Sequence, residues 1–163
     1  MENEEKGRYV LAAFRILVGW LLLWGFLDKM FGLGFQTPAG QGMIDGVSPS
    51  SFVIYASGGI FADLFKAMGG NLAVDILFMA GLLIIGILLI VGMASRITTI
   101  LTMAFMAVMF LLQVPPIDNP LIDYHILLIV GMPAVYWLGG FDKLSINEWW
   151  CSTVFVERFP FLG

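Results

Sequence analysis

Cysteine, histidine and charge are scarce in this chain of 163 residues. The single cysteine, Cys151, excludes an internal disulfide and any C-x-x-C redox motif. His125 is the only histidine, so the chain alone supplies neither the ligands of an iron–sulfur cluster nor a bis-histidine haem site. Charged residues make up 12% of the sequence, against about 25% in soluble domains. No basic cluster interleaved with aromatics is present, which argues against a nucleic-acid partner. A cleavable secretory signal is not expected either. Residues 1–5 are acidic where such a signal is basic, and no small-residue cleavage site follows the first apolar run.

Apolar residues are abundant. They form 60% of the chain, mean hydropathy is +0.93, and the net charge is −4. One domain covering residues 1–163 and embedded in lipid is the expectation. A crossing helix needs about 20 predominantly apolar residues, and four segments qualify: 8–31, 72–94, 97–114 and 121–138. The expected fold class is an all-α membrane protein, a bundle of four transmembrane helices with an outer amphipathic helical cap and a C-terminal interfacial helix. Gly81, Gly86 and Gly92 would let helices approach closely in lipid, where packing drives association. The methionine and phenylalanine stripes of 97–114 read as packing or lipid contact.

Between the first two spans lies a glycine-rich linker, 32–47, with Pro38. Ser48-Pro49 reads as a helix start, serine as N-cap and proline at the first helical position, and Gly58-Gly59 breaks that helix. Phe61, Leu64, Phe65 and Met68 then follow helical spacing, predicting a short amphipathic helix over the bundle mouth. After the last span, Ser145 and Glu148 form an S-x-x-E capping-box pattern. The helix it opens would present Trp149, Trp150 and Val154 to the membrane surface until Pro160 ends it.

Lys6, Arg8, Arg96, Lys143 and Arg158 fall on the side of the termini, Lys29 and Lys66 on the other. The positive-inside rule therefore makes both termini cytoplasmic. The cap and the loop between the last two spans then face outward with Asp28, Asp45, Asp63, Asp75, Asp118 and Asp123.

The residues able to do chemistry gather at that outer end. Asp28 and Lys29 close the first span, and Asp123 and His125 open the fourth, behind a loop stiffened by Pro115, Pro116 and Pro120. Imidazole titrates near neutral pH, so His125 reads as a proton relay or a donor to a quinone carbonyl. Equally, it reads as an interface histidine bonded to Asp118 or a backbone carbonyl. On a regular helix Asp123 and His125 point about 200° apart, so they share a site only if the helix start is irregular. Asp28, Asp118, Asp123 and His125 contain the ingredients of a facial metal triad, but their spacing is not diagnostic and no metal site is assigned.

Within the first span, Arg15, Val18, Leu22, Gly25 and Lys29 share one stripe, with Trp20, Trp24 and Asp28 roughly opposite. Arg15 has three readings. It snorkels to the inner headgroups, pairs with Glu148 or Asp142, or faces inward to hold an anion or a quinone oxygen. Lys29 suits an anionic substrate arriving from outside, and Trp20 and Trp24 would either pack or flank a planar ring.

The first span, running from Arg15-Ile-Leu-Val-Gly-Trp to Trp24-Gly-Phe-Leu-Asp-Lys29, resembles the opening of DoxX/DoxD membrane proteins. The segment Asn119-Pro-Leu-Ile-Asp-Tyr-His125 resembles the fourth-span entry of the DoxD branch, and the tail with Trp149-Trp150 and Phe159-Pro-Phe-Leu162 is also similar. The resemblance covers essentially the whole chain. It implies a multi-pass protein of a prokaryotic cell membrane, the membrane subunit of a thiosulfate:quinone oxidoreductase. Two thiosulfates would be coupled to tetrathionate at the outer face, and two electrons would pass to a membrane quinone. Under this reading His125, Asp123 and Asp28 are the catalytic candidates, and Lys29, Arg15 and Trp24 bind substrate. No cofactor is bound by a recognisable motif, and quinone is the electron acceptor. Lipid, a second small subunit or further copies of the chain are the partners. Two rival readings stand beside it: a non-catalytic scaffold anchoring a soluble redox partner, and a membrane protein binding a small molecule or lipid.

Overall fold

The computed structural model describes residues 2–116 and 119–163, the side chain of Tyr55 excepted. Every regular element among them is helical. Helix α1, Glu2–Phe31, is 30 residues long. Its first turn carries Glu2, Glu4 and Glu5 and its last turn Lys29, which suits the helix dipole at both ends. It ends at Gly32, whose φ of +59° only glycine adopts easily, and whose amide reaches the carbonyl of Asp28.

Residues 32–71 then fold into short pieces: single 3-10 turns at Met43–Asp45, Pro49–Ser51 and Gly59–Phe61, helix α2 at Phe52–Ala56 and helix α3 at Ala62–Met68. Ser48 holds the expected N-cap position with Pro49 first in the turn, but its side chain makes no capping bond. Its hydroxyl donates to Asp75 Oδ1 at 2.7 Å, as does the Ser50 amide at the same distance. The turn over Pro49 is therefore tied sideways to the next long helix, and α2 begins only at Phe52.

Helix α4, Leu72–Val91, is capped by Asn71, which accepts from the Ala73 amide, and stops at Gly92 in the left-handed region rather than running to residue 94. Helix α5 spans Ser95–Gln113. Helix α6, Tyr124–Trp137, is 14 residues long, shorter than the expected span over 121–138. Asp123 caps it in an extended conformation, so no helix precedes Tyr124. At 1.5 Å per residue it measures about 21 Å, short of the roughly 30 Å of a hydrocarbon core. Helices α1, α4 and α5 are each long and apolar enough to cross a membrane, and α6 is a shorter apolar helix.

The single tail helix expected after Ser145 is two pieces, α7 at Asn147–Cys151 and α8 at Val154–Arg158. No capping box forms there. Ser145 donates to the Phe141 carbonyl, Ile146 occupies the cap position, and Thr153 caps α8 instead. The chain end folds back on the α4–α5 turn: Arg96 donates its amide to the Gly163 carbonyl, and Trp150 Nε1 donates to the Leu162 carbonyl at 2.9 Å.

The helices pack chiefly as two pairs, α1 along α4 and α5 along α6. Glycine sets the first pair's spacing. A Cβ on Gly19 would stand 2.8 Å from the Gly86 carbonyl oxygen, and one on Gly86 would stand 2.9 Å from the Leu23 amide nitrogen. Val18, Leu22, Met79, Leu82, Ile85, Leu89, Met106, Met132 and Val135 form the buried core. Large apolar side chains such as Leu77, Leu127, Val130 and Trp137 point outward and are exposed.

Candidate functional site

Residues of α1, α4, α5 and α6 line a cavity of about 860 Å³. That lies within the range of roughly 300–1,000 Å³ usual for small-molecule sites. Helix α1 contributes Leu17, Trp20, Leu21, Trp24, Asp28 and Lys29; α5 contributes Phe105, Met106, Met109 and Gln113; α6 contributes Tyr124 and His125. Phe35 and Gln36 come from the loop after α1, Phe52 from α2, and Phe78 and Leu82 from α4. Lys29 and His125, far apart in sequence, thus line one cavity.

Polar groups concentrate at one end. Asp28, Lys29, Gln36, Gln113, Tyr124 and His125 lie at the C-terminal ends of α1 and α5, the start of α6 and the adjoining loop. The walls are aromatic. Phe52, Phe78 and Phe105 follow one another at centroid spacings of 5.3 and 5.9 Å, the last two stacked within 16°. On the α1 side Trp20 lies 5.9 Å from Trp24, which meets Phe35 edge-on at 5.1 Å.

Asp123 and His125 do meet, because the helix start is irregular in the required way. As the extended cap residue, Asp123 turns its carboxylate back over the first turn. Oδ1 accepts from the amides of His125 at 3.0 Å and Ile126 at 3.2 Å, while Oδ2 lies 2.6 Å from His125 Nδ1. The imidazole is buried, so the carboxylate fixes both its orientation and its tautomer. Asp118, the other acid considered for this histidine and for a metal triad, lies outside the described residues.

Asp28 is also buried, but its carboxylate accepts the amides of Phe35 at 3.2 Å and Thr37 at 2.7 Å. It builds the loop that carries Phe35 and Gln36 into the cavity wall. Among the described residues, the Lys29 ammonium makes no hydrogen bond or ion pair, and it sits 5.1 Å over the ring of Phe52. No group of three or more His, Cys, Asp or Glu able to hold a metal occurs among the described residues.

Arg15 lies elsewhere. Its side chain is fully buried, and its donors go to backbone carbonyls: Nε to Gly140 at 3.0 Å, NH1 to Leu89 and to Ile90 at 3.4 Å, NH2 to Lys143 at 3.2 Å and Leu144 at 2.7 Å. The guanidinium also lies 5.1 Å over Phe141. Neither acid considered as its partner pairs with it. Asp142 binds Arg8 at 3.1 Å, and Glu148 opens α7. Arg15 does not line the cavity; it clamps the end of α4 and the turn after α6 onto α1. Nearby, Lys143 pairs with Glu5 at 3.0 Å, which holds its ammonium above the ordinary lysine range.

Sequence reasoning passed over Gln36, Gln113 and Tyr124. Gln113 had one available signal, as a polar residue ending an otherwise apolar span; Gln36 had none, because only the loop built on Asp28 brings it in. No protein family, curated protein or solved structure matches the chain.

Proposed function

We propose that the chain is a multi-pass protein of a prokaryotic cell membrane, the membrane subunit of a quinone-linked oxidoreductase that oxidises thiosulfate to tetrathionate. Four crossings form the bundle, α6 being the short one, and both termini are cytoplasmic. The observation that carries this reading is the convergence of Lys29 and the Asp123–His125 pair in one aromatic-walled cavity. A quinone ring fits between such walls with its chain among Leu17, Leu21 and Met106. His125 handles the proton that quinone reduction takes up, and Lys29 attracts the anionic donor. The resemblance of the first span and of the α6 entry to DoxX/DoxD proteins supplies thiosulfate as that donor. The redox couple is carried by substrate and quinone, with a second subunit at the outer face as the partner.

The test is thiosulfate-dependent quinone reduction in membranes containing the protein. The reading expects activity that Lys29→Ala and His125→Ala each reduce by about a hundredfold, the usual scale for a positioned acid–base group. Inert membranes, or variants as active as the parent, overturn it. A ligand-binding protein without redox chemistry is favoured instead by the cavity's largely apolar lining; native mass spectrometry that finds bound lipid and no quinone would establish it.

A further inference from the structure

We propose that the cavity is a binding site for a flat ring bearing an acidic hydroxyl, which it holds as the oxyanion. This rests on the same cavity as the quinone reading but requires neither thiosulfate nor electron transfer.

Three independent features point to that ligand. The first is shape: one wall is the Phe52–Phe78–Phe105 row and another is Trp20, Trp24 and Phe35. Aromatic rings favour offset-stacked or edge-on partners, so a planar ring suits them better than a bare alkyl chain. The second is Lys29. Its ammonium lies over the Phe52 ring and, among the described residues, makes no hydrogen bond or ion pair. The neighbouring Asp28 acts on it only through space, its oxygens accepting the Phe35 and Thr37 amides, so the Lys29 N–H donors are left for a ligand. The third is the Asp123–His125 pair. An imidazole whose Nδ1–H donates to Asp123 Oδ2 presents Nε2, the other ring nitrogen, to a ligand and accepts a proton there from its neutral form.

The resulting step is a proton transfer. The ligand's O–H bond breaks, an N–H bond forms at His125 Nε2, Asp123 steadies the imidazolium, and the oxygen, now negative, faces Lys29. No electrons are exchanged. The titratable groups on the cavity wall are Asp28, Lys29, Tyr124 and His125, with Asp123 behind the last. Gln36 and Gln113 offer amide donors for a second ring oxygen.

The experiment uses the full chain in nonionic micelles and a 4-nitrophenol carrying an octyl chain, whose phenolate is read by absorbance. At a pH below the probe's own midpoint in empty micelles, the protein should raise the phenolate-to-phenol ratio about tenfold, one unit of pKa. Lys29→Met and His125→Gln should each return the ratio to the micelle value, whereas Lys29→Arg keeps the shift. The probe's methyl ether should bind the parent protein more weakly, a comparison that needs no variant to fold. Failure of the phenol to bind, binding without a shift, or a shift that survives Lys29→Met overturns the proposal. An ionised bound probe in a protein that never reduces quinone removes the redox reading and leaves this site; active quinone reduction without the shift removes only this site.

Discussion

Arg15 Nε donates to the Gly140 carbonyl at 3.0 Å, joining the first helix to the turn that follows α6. The same guanidinium holds the carbonyls of Leu89, Lys143 and Leu144. Leu144 is left-handed at φ +50°, an uncommon conformation for leucine, and its carbonyl accepts NH2 at 2.7 Å.

Replacing Arg15 therefore tests a clamp. Arg15→Met leaves several buried carbonyls without donors and should destabilise the protein by a few kcal/mol, each such group costing about 1–3 kcal/mol. Arg15→Lys should recover only part, because an ammonium cannot reproduce the planar fork. Thermal unfolding in micelles measures both. Probe binding in the cavity should persist in whatever fraction stays folded, which separates a clamp from a substrate ligand.

The contact between α1 and α4 gives a second prediction. A Cβ on Gly19 meets Gly86 backbone and Leu89, so Gly19→Leu and Gly86→Leu should each cost about 1–3 kcal/mol or more. Gly25 is a control on the same helix: its Cβ would find Leu82 at 3.7 Å, an ordinary contact. Gly25→Ala should leave the midpoint of unfolding near that of the parent.

Asp123 carries two tasks that substitution can separate. Asp123→Ala removes the cap of α6 and should cost about 0.5–2 kcal/mol. Asp123→Asn keeps a capping oxygen and should restore most of that stability. It takes away the carboxylate facing His125 Nδ1, so the pH profile of quinone reduction should move although the unfolding midpoint does not. A pH profile that stays at the parent's in Asp123→Asn would show that the residue only caps.

Asp75 anchors the segment between the first two long helices. Asp75→Ala should free the turn over Pro49, because Ser48 Oγ and the Ser50 amide lose their common acceptor. Limited proteolysis should then cut within 48–70 faster than in the parent, while α4 and α5 stay protected. An unchanged cleavage rate would mean that α2 and α3 hold the segment unaided.

Much of the site was readable in the residues, but not its wiring. Asp28, Lys29, Asp123 and His125 stand out because charge inside apolar segments is costly. Which of them faces a ligand depends on backbone groups that no residue pattern reveals. Asp28 was a catalytic candidate and is bound to the Phe35 and Thr37 amides, whereas the neighbouring Lys29 makes no hydrogen bond or ion pair among the described residues. Arg15 looked like a candidate anion ligand or a partner for an acid. It binds carbonyls freed where α4 ends and where the chain turns after α6, and such acceptors exist only once those turns are in place.

By itself the sequence determined the helical class, the location of the long apolar helices and the few positions where polar groups enter them. Those follow from local hydropathy and period, which each segment carries alone. Tertiary structure decided the length of α6, the breaking of the tail into α7 and α8, and the occupation of Arg15 by carbonyls. It also brought Gln36 and Gln113 to the cavity that Lys29 and His125 line. Hydrogen-bond acceptors on the backbone are common to every residue, so their use is set by which segments meet in space.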